Sequence, residues 1–339
     1  MSRVAVIGGG AWGTALAMVA ARRGDHEVRL WALEREVCES VNACHVNSLF
    51  LPGIKLPGNI VAFNDFKEAL DRTEIVLSVM PSHHCRRSFE HMAQWLRPEM
   101  VFISATKGVE NDTLLRMSQV IDEVVGRYCG FSPKIVALSG PSFAREVAEC
   151  KPTAVTAAST DLDLAARVQK AFSDPGLRIY VNDDLTGVEL GGALKNVIAI
   201  AAGICEGLDI GHNAVAALIT RGLVEITRLA VACGARPQTM AGLSGMGDLV
   251  LTCTGGLSRN RSVGVALGQG QKLNDIITGM HGMVAEGVLT TKAAIGLGAK
   301  YGVEMPITEQ MYAILNQGKS PHDAIRELMM RPGKAEDRF

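Results

Sequence analysis

The chain has almost no charge of one sign to spare. Lys and Arg total 34 against 35 Asp and Glu, a formal net charge of −1 over 339 residues. Without a basic surplus, nothing argues for nucleic acid or an anionic membrane surface as the main partner. A small anionic substrate needs only local positive charge. C-x-x-C pairs are also missing. The 8 cysteines are scattered, so the thiols read as reduced, in a cytosolic protein. Cys38, Cys44 and His45 sit close in sequence, as do His83, His84 and Cys85. Adjacent residues seldom aim at one ion and structural zinc spacing is absent, so no metal is expected. No uninterrupted apolar run is long enough to cross a bilayer. The opening MSRVAVIGGG breaks from apolar residues into glycines at once, unlike a signal peptide. There is no internal repeat and no low-complexity linker. The composition, 47% hydrophobic and 20% charged, is that of a globular chain with substantial cores, and the length suggests two domains.

The first half alternates short β-like runs with helical ones. Strands are expected at Arg3–Ile7, Glu27–Trp31, Glu74–Val79, Val101–Ala105, Lys134–Leu138, Thr153–Ala157 and Arg178–Val181. Several are continuous Val/Ile/Leu runs, as in parallel strands buried on both faces. Helices are expected between them at Thr14–Arg23 and Asp161–Ser173. This alternation implies an α/β fold with a doubly wound sheet over residues 1–182. From 183 to 339 the texture is all-α, with helices expected at Leu185–Gly207, Asn213–Cys233, Arg259–Leu267, Glu286–Lys300, Thr308–Leu315 and Pro321–Met330. Asn213 reads as an N-cap and Gly234 as a stop.

Within 3-RVAVIGGGAWGTALAMVAARRG-24, Gly8, Gly10 and Gly13 have dinucleotide spacing between a strand and a helix. Gly8 allows the tight turn, Gly10 lets a pyrophosphate approach the backbone, and Gly13 lets helix and strand pack closely. The helix start then offers free N–H groups to the phosphates. Glu34 follows the second strand, where a carboxylate accepts from a ribose 2′-hydroxyl and repels a 2′-phosphate. That favours NAD. Arg35 is its neighbour and is able to pair with a 2′-phosphate, so the sequence leaves NAD and NADP both open.

Ketone reduction by a nicotinamide cofactor also needs a proton donor. In 191-GGALKNVIAIAAG-203, Lys195 stands alone in a small, apolar helical pattern. Its helical neighbours Gly191, Gly192, Ile198 and Ala199 leave room for close approach. A desolvated ammonium there can exchange a proton and face a developing oxyanion, with Asn196 adding hydrogen bonds. The alternative is a lysine reaching sideways to water along apolar surface. Further on, 242-GLSGMGDLVLTCTGGLSRNRSVGVALGQG-270 holds Asp248 and Thr252 among glycines, then Ser258, Arg259 and Asn260 at a helix start. That start suits an anion. Ser258 and Asn260 also read as plain caps, Arg259 as a surface charge and Asp248 as a turn residue. Lys107 in SATKGVE, and Gly140 and Ser142 in SGPSFARE, follow strands, where ligands collect in open sheets.

The order GGGAWGTALA, NSLFLPGIKLP, ATKGVE, SGPSFARE, GGALKNVIAIAAG, GLSGMGDLVLTCT with SRNR, VAEGV and EMPIT resembles the bacterial NAD(P)-dependent glycerol-3-phosphate dehydrogenases over nearly the whole chain. The resemblance implies reversible reduction of dihydroxyacetone phosphate to sn-glycerol 3-phosphate with NAD or NADP and no metal, feeding phospholipid synthesis. It implies an N-terminal Rossmann domain, an all-α C-terminal domain and a cytoplasmic homodimer. It makes Lys195 the proton donor or acceptor and sets Asp248 beside it. It places Lys107, Gly140, Ser142, Ser258, Arg259 and Asn260 on the substrate. It places Ala11, Trp12, Ala144, Val284 and Glu286 on the cofactor, which Lys107 and Arg259 also near. After the second strand the family often carries Trp, a small residue, then Arg or His. Here the row is Trp31, Ala32, Leu33, and an apolar Leu33 gives a 2′-phosphate nothing to bind. The rival readings are a related dehydrogenase with another acid or phosphate substrate, and a dinucleotide sensor without catalysis.

Overall fold

The computed structural model describes residues 2–280, 285–333 and 335–336. The strands are β1 (Ser2–Ile7), β2 (His26–Trp31), β3 (Val46–Asn47), β4 (Leu51–Lys55), β5 (Ile60–Phe63), β6 (Ile75–Ser78), β7 (Val101–Ser104), β8 (Lys134–Ser139), β9 (Thr153–Ala158) and β10 (Leu177–Asn182). Eight of them form one sheet in the order β10-β9-β8-β7-β6-β1-β2-β5. All pairings are parallel except β8 with β9. The apolar runs in the sequence have the cause expected of them. Val4 and Val6 of β1 point into the core on one face of the sheet, Ala5 and Ile7 into the core on the other. A strand covered on both faces has no polar alternation to display.

The seven expected strands are present with no end shifted by more than one residue. The edge strand β5 and the β3–β4 hairpin were not expected. β5 has only four residues, and β4 contains Pro52 and Gly53, which read as loop. The reversal of strand order between β1 and β6 opens a crevice outside the carboxyl ends of these two strands.

The chain divides into two compact units. One takes in the residues up to Lys107 together with Leu115–Leu185, the other Gly108–Leu114 and the chain from Thr186 onward. The second unit is helical. Its long helix, Leu185–Gly207, is apolar enough by length and composition to cross a membrane. However, its most apolar stretch of 18 residues is wholly buried, so it is a core helix, apolar all round because it is covered all round. The helix Arg259–Gly268 crosses it at backbone contact. A Cβ on Gly264 would stand 2.0 Å from the Ile200 carbonyl oxygen. The next helix, His212–Ala232, corrects one expectation. Its N-cap is Gly211 at φ +86, a conformation that favours glycine, and Asn213 lies inside the helix. Gly234, at φ +95, does follow its end.

Candidate active site

Lys195 does not reach sideways to water. Its side chain is 7% exposed, and its Nζ lies 2.7 Å from Oδ1 of Asp248, itself 2% exposed. An unpaired ammonium at such depth would be costly, and the carboxylate offsets that cost. Asp248 opens the short helix Asp248–Thr254 instead of sitting in a loose turn. It is brought to Lys195 by the π-helical turn Leu243–Gly247. That turn lies on Gly191, where a Cβ would stand 2.6 Å from the Ser244 carbonyl oxygen. The small face of the lysine helix is therefore occupied by backbone. One turn on, Thr252 Oγ1 accepts from Lys195 Nζ at 2.5 Å and donates to the Asp248 carbonyl at 2.6 Å. Cys253, buried next to this pair, is pushed up to about 12 by burial. Asp248 pushes the same way and Lys195 pulls it down. It remains a neutral thiol near neutral pH.

Asn196 follows on the same helix. Its Oδ1 accepts from Asn260 Nδ2 at 2.9 Å, and Asn260 Oδ1 accepts from the Gly287 N–H at 2.9 Å. A backbone N–H only donates, so both Asn260 amide positions are determined. Asn260 is thus a buried connector within its helix, and the cap reading fails for it. Ser258 is the cap, its Oγ accepting from Arg261 N at 3.2 Å. Arg259 opens the helix and is exposed. The protein crowded around it pushes its pKa down and the Glu286 carboxylate pulls it back up. Water still reaches the guanidinium, and the exposure counts for more, so Arg259 is a cation at any working pH. Glu286 is the first residue of the helix Glu286–Tyr301. Val284 lies outside the described residues.

The remaining candidates belong to the first unit. Gly8, at φ +130, brings its backbone against Val79, and a Cβ on Gly13 would stand 1.8 Å from the Gly8 carbonyl oxygen. A Cβ on Gly10 would meet nothing within 4 Å. The turn is tight where helix meets strand and open where a diphosphate has to approach, so these residues fit a dinucleotide. Ala11 and Trp12 begin the helix Ala11–Arg22, which has no side-chain cap. Leu33 is 67% exposed, and Glu34 is the N-cap residue of the helix Arg35–Cys44 without capping it. Lys107 Nζ donates to the Gly140 carbonyl at 3.0 Å and Ser142 Oγ to the same oxygen at 2.9 Å. Ala144 opens the helix Ala144–Ala148. The expected residues thus form two sets, one in each unit. The reading of single motifs missed Asn47 and Thr14, which hydrogen-bond the glycine loop from behind. Among the described residues no group of His, Cys, Asp and Glu is arranged to hold a metal ion.

The family model for the N-terminus of NAD-dependent glycerol-3-phosphate dehydrogenase matches residues 3–165, and the model for its C-terminus matches residues 184–326. A glycerol-3-phosphate dehydrogenase [NAD(P)+] of Koribacter versatilis is 67% identical over 336 residues, covering 99% of each chain. The chain belongs to the NAD-dependent glycerol-3-phosphate dehydrogenase family. A crystal structure of glycerol-3-phosphate dehydrogenase from Coxiella burnetii superposes with a TM-score of 0.91 at 39% identity, covering 97% of this chain and 99% of that one. A ketopantoate reductase of Ralstonia eutropha has a TM-score of 0.61 at 16% identity, covering 95% of this chain and 99% of that one. That second likeness shows the fold alone. The family match therefore spans the helical unit that carries the lysine cluster as well as the dinucleotide unit.

Proposed function

We propose that the chain reduces dihydroxyacetone phosphate reversibly to sn-glycerol 3-phosphate with NADH or NADPH, Lys195 being the proton donor or acceptor. A bound nicotinamide dinucleotide supplies the hydride. The observation that carries the residue assignment is the buried 2.7 Å pair of Lys195 with Asp248. As hydride reaches the carbonyl carbon, negative charge builds on the oxygen. The Lys195 ammonium stabilises that charge and gives up a proton to it. Asp248 and Thr252 hold the ammonium in one place, so no reorganisation is required when the charge appears. In the reverse direction the neutral amine takes the hydroxyl proton.

Arg259 binds the substrate phosphate, with Ser258 and Asn260 shaping the helix start that carries it. Asn196 and Thr252 orient the polar end of the substrate. Lys107, Gly140 and Ser142 serve the substrate from the first unit. Gly8, Gly10, Ala11, Trp12, Gly13, Leu33, Glu34, Ala144, Val284 and Glu286 serve the cofactor. The product feeds phospholipid synthesis, and the enzyme works in the cytoplasm as a homodimer. The test is oxidation of NADH, and of NADPH in parallel, by the purified protein with dihydroxyacetone phosphate. Rapid oxidation is expected, and the ratio of the two rates measures the cofactor preference left open by Leu33 and Glu34. No oxidation by a protein that still binds either cofactor would overturn the substrate assignment.

A further inference from the structure

The stretch 47-NSLFLPGIKLP-57 has no part in the mechanism above, yet its first residue is wholly buried. Asn47 ends β3, and the hairpin pairs it with Leu51 of β4. Its Oδ1 accepts from the Phe50 N–H at 3.0 Å. Because that N–H only donates, the amide has one orientation, and its NH2 group faces the glycine loop. One hydrogen goes to the Gly9 carbonyl oxygen at 2.7 Å, the other to Thr14 Oγ1 at 2.8 Å. The Thr14 hydroxyl in turn donates to the same Gly9 oxygen at 3.3 Å.

The consequence lies in the peptide plane. The chain has no cis peptide bond among its described residues, and in a trans peptide the C=O and the following N–H point in opposite directions. Two donors, Asn47 on the hairpin and Thr14 on the helix, hold the Gly9 oxygen on their own side of the loop. The Gly10 N–H is therefore turned the other way, and among the described residues it has no protein acceptor. Gly10 is also the residue whose missing Cβ leaves open space, and it stands at the uncapped start of the helix Ala11–Arg22. We infer that Asn47 is a positioning residue for the dinucleotide loop, locking the Gly9–Gly10 peptide so that the Gly10 N–H is aimed at the cofactor diphosphate. This rests on the dinucleotide reading of that loop. The residue type follows from the requirement. Two donors and one acceptor on a short stem describe an asparagine amide, whereas an ionised aspartate accepts only.

The test measures affinity for ADP-ribose, which carries the diphosphate, and for adenosine, which does not, using calorimetry and ligand-observed NMR. The proteins are the full chain and its Asn47→Leu and Asn47→Asp variants. Losing one well-aimed hydrogen bond to a charged oxygen should weaken ADP-ribose by about 10- to 100-fold, with adenosine nearly unchanged. Asn47→Leu should show this at every pH. Asn47→Asp should recover in part on acidification, since a protonated carboxyl again donates to the Gly9 oxygen. Should Asn47→Leu fail to fold, Thr14→Val removes the second donor to the same oxygen and should give a smaller loss, again confined to ADP-ribose. Equal losses for both ligands would make Asn47 a hairpin anchor and overturn the inference, as would unchanged ADP-ribose affinity. Failure of the unaltered protein to bind ADP-ribose would overturn the dinucleotide reading beneath it.

Discussion

The glycine loop and the lysine cluster bind by opposite means. The loop is six residues of continuous sequence, and its chemistry belongs to the backbone. Its glycines matter for the side chains they lack, at Gly13 to let the helix touch the strand and at Gly10 to leave space. The cluster is drawn from stretches between Lys195 and Asn260, and its chemistry belongs to side chains held at 2.5–2.9 Å from one another. Its glycines do a different task, letting the helix Arg259–Gly268 and the turn Leu243–Gly247 reach the lysine helix. A site made of backbone fails by losing its ligand, whereas a site made of side chains fails by losing its rate.

The largest effect expected from that contrast is at Lys195. Lys195→Met keeps the length of the side chain and removes the ammonium. Turnover should fall by about 10²- to 10⁴-fold, the usual contribution of a positioned proton donor, with NADH affinity unchanged. Comparable turnover in the variant would remove Lys195 from the chemistry. A parallel loss of NADH affinity would show that the two regions do not act separately. Asp248 adds a complication, since the variant leaves its carboxylate buried without the ammonium. A thermal melt on the same sample separates lost stability from lost chemistry.

The loop should break in the reverse sense. At Gly10 a Cβ meets nothing within 4 Å, and φ is −67, so Gly10→Val should fold and melt normally. It would fill the space a diphosphate needs and raise the Kd for NADH by at least about tenfold, or 1.4 kcal/mol. Gly13→Val meets the Gly8 carbonyl oxygen directly and should lower the melting temperature even without ligand. If both variants bound NADH normally, the spacing would be a packing motif only. If Gly10→Val also lost stability, the open space would not be reserved for a ligand.

The same contrast explains what could be read without coordinates. The loop was legible because spacing, strand and helix all lie within one short segment, and periodicity located seven strands for the same reason. β5 and the hairpin were not legible. Four residues at a sheet edge carry too little pattern, and Pro52 and Gly53 signal a loop to any local rule. Local sequence left Lys195 undecided between water and chemistry. Resemblance to a family tipped the balance, and the Asp248 pair shows which environment the side chain has. Local sequence left Asn260 open between an anion site and a plain cap, because its partners, Asn196 and Gly287, lie 64 and 27 positions away. Asn47 escaped for the same reason, being 38 positions from Gly9.

The smallest effect concerns a second buried carboxylate in the helical unit, which sharpens the comparison by lacking an ammonium. Asp248 faces Lys195. Glu225, on the helix His212–Ala232, accepts from Ile307 N at 2.8 Å, Thr308 N at 2.9 Å and Thr308 Oγ1 at 2.7 Å. It caps the helix Pro306–Gln317 from outside, where the helix dipole favours a negative charge. Burial nevertheless pushes its pKa above the ordinary glutamate range, the three hydrogen bonds only partly offsetting it. In the interval between the unfolded value, about 4.3, and the raised folded value, the folded chain keeps a proton that the unfolded chain has released. Stability from this group is therefore full below that interval and declines as pH rises through it. Glu225→Gln cannot titrate. It should melt lower at acid pH, by roughly one hydrogen bond or about 1 kcal/mol, and should lose less stability from pH 4 to pH 8 than the unaltered chain. Melting curves that stayed parallel across that range would mean that hydrogen bonds, and not burial, set the charge state of Glu225. A carboxylate held by N–H and hydroxyl donors alone would then be as well compensated as one facing an ammonium.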